Sequence, residues 1–185
     1  MRVLPKHKAS DGDREPLYSA GNRKGMSDSD AADLKDLRVV ADYQFGAGAG
    51  DALFPTDAEI TISRSRSGRP RQVSVEGERV VTYGTDGRFT LGVAGGRRLR
   101  DSLGNAVYHV QVGDESIPFV SDGKNAFAKF VTDVDPDVRS GDEVSIVGPD
   151  GELLGVGRAE LSADAMLDFQ TGMAVRVREG VGDVE

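Results

Sequence analysis

The stretch "IPFVSDGKNAFAKFV", residues 117–131, decides how the second half of this 185-residue chain is read. It opens with an apolar run, Ile117 to Val120, broken by Pro118, and turns at Ser121-Asp122-Gly123. Lys124 and Asn125 follow, and aromatic residues return at Phe127 and Phe130 with Lys129 between them. A glycine turn lets another backbone come close, because no Cβ keeps it away. A lysine beside it supplies a point charge for phosphate, and an asparagine can read or cap a base edge. As one strand, residues 125–131 put Phe127 and Lys129 on one face and Ala128 and Phe130 on the other. One of the two phenylalanines is then expected in the core.

Short β segments lie on both sides of that turn. "AVYHVQV" (106–112) precedes it, and "DEVSIVG" (142–148) and "LLGVGRAEL" (153–161) follow. "SADAMLDF" (162–169) reads as a helix capped by Ser162, and "MAVRVRE" (173–179) as a closing strand. In that last strand Arg176 and Arg178 alternate with Val175 and Val177, so both arginines fall on one face. Five or so short strands with tight turns point to a small closed barrel.

The first half has a different rhythm. Ser29 or Asp30 is placed to cap a helix whose apolar positions are Leu34, Leu37, Val40 and Ala41, reaching Phe45. "GAGAG" (46–50) ends it. Asp51 stands where a dinucleotide fingerprint needs glycine, and the Gly-Lys-Ser/Thr of a phosphate loop is absent, so this reads as a turn. Four β segments follow, "AEITISRS" (58–65), "RQVSVEG" (71–77), "RVVTYG" (79–84) and "RFTLGVA" (88–94), then a helix, "GGRRLRDSL" (95–103). Arg64, Arg66, Arg69 and Arg71 form the one dense basic cluster, on the hairpin "SRSRSGRPRQ", and are candidates for bidentate phosphate contacts. Residues 1–25 show no hydrophobic period. They read as a disordered tail or as the product of a start codon set upstream of Met26.

Composition narrows the chemistry. The net charge is −8, with +6 over residues 61–100 and −11 over residues 101–185. Past residue 25 the lysines are Lys35, Lys124 and Lys129 alone, against fourteen arginines. Low lysine with abundant Asp, Glu, Gly, Ala and Val fits a cytosol holding molar salt, where an acidic chain does not argue against RNA. There is no cysteine, and the two histidines, His7 and His109, lie far apart, so no metal site or cofactor is expected. "DVDPDVRSGDEV" (133–144) fails as a calcium loop, because Val138 takes the position that needs glycine. No apolar run approaches a membrane span, and the basic start has no apolar stretch behind it. These features imply a cytoplasmic protein.

Two resemblances sharpen this reading. "IPFVSDGKNAFAKFV", "GDEV", "GVGRA" and "GMAVRVREG", in that order, resemble a PUA domain, a compact RNA-binding pseudobarrel, over about Ala106 to Gly180. The resemblance implies RNA beside the first helix and turn and along the last strand. By position that marks Gly123, Lys124 and Asn125, and Met173 to Arg178. "VADYQFGAGAGDALFP" and "ISRSRSGRPRQVSVEGERVVTYGTDGRFTLGVAGGRRL" resemble the small domain preceding the PUA module in archaeal tRNA-guanine transglycosylases, the archaeosine-pathway enzymes. The aspartate nucleophile and zinc ligands of those enzymes have no counterpart in this sequence, so the resemblance carries tRNA docking and not catalysis.

The expected fold class is α+β, a small α+β domain at 26–104 followed by a mostly-β PUA pseudobarrel at 105–182. The expected function is non-enzymatic RNA binding, with structured tRNA as ligand and a role as accessory in tRNA modification. Candidate RNA contacts are Gly123, Lys124, Asn125, Lys129, Arg64, Arg66, Arg69, Arg71, Arg176 and Arg178. The alternative is an interaction subunit, or a translation-factor-like protein, docking a catalytic or ribosomal partner.

Overall fold

A computed structural model describes residues 26–104 and 108–182, and the expectation for residues 1–25 lies outside them. The first helix, α1 (Asp28–Phe45), starts earlier than expected: Ser27 caps it, its Oγ accepting the Asp30 N–H at 3.1 Å. Every residue of Ser27-Asp28-Ser29-Asp30 is able to cap. With Ser27 in that role, Asp28 and Asp30 sit in the first turn, where the helix dipole favours acids. Leu34, Leu37, Ala41 and Phe45 form its buried face. After Gly46 a short helix, α2 (Ala49–Leu53), doubles back, and Arg38 Nε reaches across to donate to the Phe54 carbonyl at 3.0 Å.

Four antiparallel strands follow in sequence order: β1 (Ile60–Arg64), β2 (Pro70–Val75), β3 (Glu78–Tyr83) and β4 (Phe89–Leu91). Alternation puts Val73, Val75, Phe89 and Leu91 inside, where they meet the helices. Phe54 and Phe89 pack edge to face, with ring centroids 5.9 Å apart. Helix α3 (Val93–Leu103) closes this unit.

The second unit is a six-stranded, nearly closed barrel with two short helices. Its elements are β5 (His109–Val112), α4 (Ile117–Ser121), β6 (Ala126–Phe127), β7 (Val131–Val134), β8 (Glu143–Val147), β9 (Leu153–Ala159), α5 (Ala163–Asp168) and β10 (Met173–Gly180). The strand order is β6-β10-β9-β8-β5-β7, antiparallel throughout except for the β5–β8 pair. The α+β class and the barrel agree with the sequence reading.

The opening stretch is built differently from expectation. Ile117 to Ser121 is a helical turn, with Pro118 in its first turn, where a missing N–H costs nothing. The expected strand at 125–131 is cut in two: β6 ends at Phe127, a 3-10 turn covers Ala128–Phe130, and β7 begins at Val131. Strand alternation therefore does not run through 127–130. Ala126 and Ala128 enter the core, Phe127 is 43% exposed, and Phe130 is half-buried. Neither phenylalanine is the core residue anticipated.

The two units share a seam. Val156 of β9 is fully buried in the first unit's core rather than the barrel's. The Glu143 carboxylate, 5% exposed, accepts the Leu91 N–H at 2.9 Å and the Arg178 guanidinium at 2.7 Å. Glu179 accepts the Val93 N–H at 3.2 Å and pairs with Arg79, while Arg88 pairs with Asp142 at 3.0 Å. Among the described residues no helix is long and apolar enough to cross a membrane, and no group of three or more acidic or histidine side chains is placed to hold a metal.

Gly96 of α3 tests the seam's packing. A Cβ there would lie 2.7 Å from Val156 Cγ1, a stiff neighbour that cannot swing away. Gly→Ala within a helix ordinarily gains about 1 kcal/mol, whereas overpacking a filled core costs about 1–3 kcal/mol. Gly96→Ala is expected to lower the thermal midpoint. A raised midpoint would mean that α3 does not press on β9.

Candidate nucleic-acid interface

The turn after α4 is fixed from three sides. The Gly123 N–H donates to Val120 O at 2.9 Å and the Lys124 N–H to Phe119 O at 2.8 Å, ending the helix. Gly123 has φ +82°, a left-handed conformation in which a side chain is strained, and it opens onto free space. On the inner side Gly180 of β10 comes so near Ser121 O that a Cβ there would lie 2.1 Å from it. Asn125 completes the lock, its Oδ1 accepting the Val177 N–H of β10 at 3.0 Å.

That bond changes what Asn125 has to offer. Its carboxamide oxygen belongs to the scaffold, which leaves the amide NH2 as a donor. Lys124 stands free of the surface. Its Nζ lies 3.3 Å from Asp122 Oδ2, but both side chains are two-thirds exposed, so the pair is weak. Two aromatic side chains flank the turn: Phe119 on α4 is 62% exposed and Phe127 on β6 is 43% exposed. Phe119 was missed in the sequence because 117–120 read as an apolar run. A helical period would have turned it away from buried Val120.

On β10, Arg176 and Arg178 project outward between buried Val175 and Val177. Each is held by one carboxylate: Arg176 Nε donates to Glu160 Oε1 at 2.9 Å, and Arg178 to Glu143. Arg158 donates to the same Glu160 oxygen at 2.8 Å. Lys129 is exposed on the 3-10 turn, its Nζ 4.5 Å from the Phe130 ring centroid. Gly123, Lys124 and Asn125 therefore lie against β10, while the guanidinium groups of Arg176 and Arg178 on that strand are directed toward the β9 and β8 side, to Glu160 and Glu143.

The arginine hairpin lies elsewhere. It joins β1 and β2, the strands of the first sheet farthest from the seam, which is built on β4 and α3. Arg64 is turned inward onto α1, pairing with both Asp30 and Asp33. Arg69 sits 5.9 Å from the Tyr83 ring centroid, and Arg66 and Arg71 are exposed.

Electrostatics follow from these contacts. The Arg64 guanidinium, with help from Ser27, holds the Asp30 carboxyl below the usual range, and Arg158 and then Arg176 do the same for Glu160. Burial pushes the Glu143 carboxyl up, against the pull of Arg178 and of the Leu91 N–H. The signs differ. Asp30 and Glu160 contribute stability that is present above the ordinary carboxylate pKa and lost as pH falls through their depressed values. Glu143 opposes folding once pH rises above the ordinary glutamate value of about 4.3 toward its raised one. Glu143→Gln removes that titration. The midpoint difference, wild type minus variant, is expected to fall as pH rises from about 4 to neutrality. Thermal melts across that range would contradict this if the difference grew.

Residues 35–105 match the patch-forming domain C2 of tRNA-guanine transglycosylase, and residues 108–181 match the PUA domain. The tRNA-guanine(15) transglycosylase of Methanothermobacter thermautotrophicus is 42% identical over 157 residues, covering 84% of this chain and 24% of that protein. Its counterpart in Pyrococcus furiosus is 45% identical over 146 residues, covering 78% and 24%. The chain thus spans about a quarter of the length of the curated relatives it matches. Among solved structures, a PUA domain from Aeropyrum pernix K1 has a TM-score of 0.62 at 20% identity, covering 85% of each chain. A hypothetical protein from Pyrococcus horikoshii OT3 has a TM-score of 0.66 at 20% identity, covering 82% of this chain and 92% of its own. These last two likenesses concern the fold alone. The chain is a PUA-domain protein in which a patch-forming domain C2 precedes the PUA domain, and over that pair it is related to the C-terminal part of archaeal tRNA-guanine(15) transglycosylases.

Proposed function

We propose that this protein binds structured tRNA, in the cytoplasm, as a non-catalytic accessory in tRNA modification. The observation that carries the reading is the Gly123–Asn125 turn locked against β10, with Lys124 two-thirds exposed and held only by a weak surface pair with Asp122, and two exposed arginines on the neighbouring strand. Phosphate oxygens find Lys124 and the unused donors of Arg176 and Arg178 there, and unpaired bases find the exposed faces of Phe119 and Phe127. In this reading residues 105–182 hold the RNA and residues 26–104 orient it. Arg66 and Arg71 reach phosphates farther along the molecule, with Arg64 and Arg69 setting the hairpin.

Lys124 and Asn125 separate contact from scaffold. Lys124→Ala should leave the thermal midpoint unchanged and weaken tRNA binding, by up to about 1.5–3 kcal/mol for a charge-assisted contact. Asn125→Ala should instead lower the midpoint, because it leaves the half-buried Val177 N–H without an acceptor at a cost of about 1–3 kcal/mol. Gel-shift titrations with a tRNA transcript, alongside thermal melts, check both. Wild-type affinity in Lys124→Ala would move the RNA to another surface.

A further inference from the structure

The outer face of β8, β9 and β10 carries a positive charge that the ion pairs there do not balance. Arg176 and Arg158 are direct cross-strand partners on β10 and β9, and Glu143 is the partner of Arg158 on β8. Arg178 takes Glu143 and Arg88 takes Asp142, one carboxylate to each guanidinium. Arg158 and Arg176 share the remaining one, both donating to Glu160 Oε1, at 2.8 and 2.9 Å. The surplus charge therefore falls on the pair at Glu160. Farther along the loop from β7 to β8, Arg139 and Asp137 add one exposed charge of each sign, and the buried Asp135 is taken up by the Tyr108 and Asp137 N–H groups. The carboxylates that act on the Arg158 guanidinium itself are Glu160 and, more weakly, Glu143.

Like charges directly opposite one another on neighbouring strands are destabilising, and a single carboxylate only half compensates two guanidinium groups. Both side chains are open to solvent, Arg158 at 48% and Arg176 at 61%. Both also keep donors in reserve. Arg158 uses Nε and Nη2 on Glu160, and Arg176 uses Nε, which leaves Nη1 of Arg158 and both terminal nitrogens of Arg176. An anion with several acceptor oxygens supplies the missing charge and fits planar donor forks, which is the chemistry of phosphate. The pair also adjoins the turn described above. Val177, the next residue after Arg176, gives its N–H to Asn125 Oδ1, so the Gly123–Asn125 turn and the two arginines meet across one strand.

We infer that Arg158 and Arg176, held side by side on Glu160, clamp one phosphodiester group of the bound RNA on the β9–β10 face, away from the turn at Lys124. That the phosphate belongs to RNA rests on the tRNA reading above, whereas the clamp rests on the shared carboxylate.

The test titrates Arg158→Gln, Arg176→Gln and the double variant with a tRNA transcript over a range of KCl concentrations, beside Lys124→Ala. Exposed ion pairs contribute little to stability, so the thermal midpoints should stay near that of the wild type. Each single variant should weaken binding roughly tenfold, and the double variant little more than either, because one phosphate is lost once. In the double variant the slope of log affinity against log salt should become shallower by about 0.7–0.9, the share of one phosphate. Arg158→Gln with wild-type affinity overturns the clamp, and if Lys124→Ala still weakens binding the tRNA reading stands without it. Fully additive losses in the double variant also overturn it, since they would mean that the arginines serve separate contacts. If the wild type binds no tRNA, the tRNA reading fails. The clamp is then tested by titrating inorganic phosphate against the Nε–H NMR signals of Arg158 and Arg176. Saturable shifts of both would keep the phosphate site and reject only its RNA ligand, and unmoved signals would overturn the site as well.

Discussion

One oxygen of Glu143 receives both the backbone N–H of Leu91, from the first unit, and the guanidinium of Arg178, from the last strand of the second. A carboxylate buried this deeply costs several kcal/mol unless it is paired and hydrogen-bonded, and here its partners come from both sides of the seam. Glu179, on the same strand as Arg178, repeats the arrangement with the Val93 N–H and Arg79. Strand β10 is thereby tied to the first sheet through two acidic groups. Separating the units would expose Val156 and leave Glu143 without its Leu91 donor, so seam packing and seam polarity support one another.

The candidate interface inherits its rigidity from that seam. β10 is held by the first unit, and the Gly123–Asn125 turn is held by β10 through the Asn125–Val177 bond and the close approach of Gly180 to Ser121. Binding groups that are already in place lose less freedom when a ligand arrives, which matters most where long-range charge attraction is absent. This chain is acidic overall, and Arg64, Arg176 and Arg178 each stand beside carboxylates. In the proposed reading, recognition at this edge depends on geometry, directed donors and aromatic faces more than on a basic field.

Much of the fold was legible because its signals are local. Alternation fixed the strands of the first sheet, and the Val175-Arg176-Val177-Arg178 pattern correctly turned both arginines outward. The turn at Gly123 followed from composition alone. What stayed hidden was set by distant partners. Nothing in "DEV" announces that Glu143 is buried, since the Leu91 N–H that donates to it lies 52 residues away. The break after Phe127 arises where the chain leaves one edge of the barrel for the other, and "NAFAKFV" alternates well enough to conceal it. Asn125 looked like a reader of bases because its carboxamide fits either role, and only the neighbouring strand shows which half is already engaged. The first-turn capping choice was a near tie among four capable residues, decided by where two aspartates meet the helix dipole.

The central claim is that the two units are one cooperative body held together through β10. Scanning calorimetry of the whole chain tests it most directly. The account predicts a single unfolding transition whose calorimetric and van't Hoff enthalpies agree. Two separable transitions, or a calorimetric enthalpy well above the van't Hoff value, would show that the units melt independently and that the Glu143 and Glu179 contacts do not bind them into one structure.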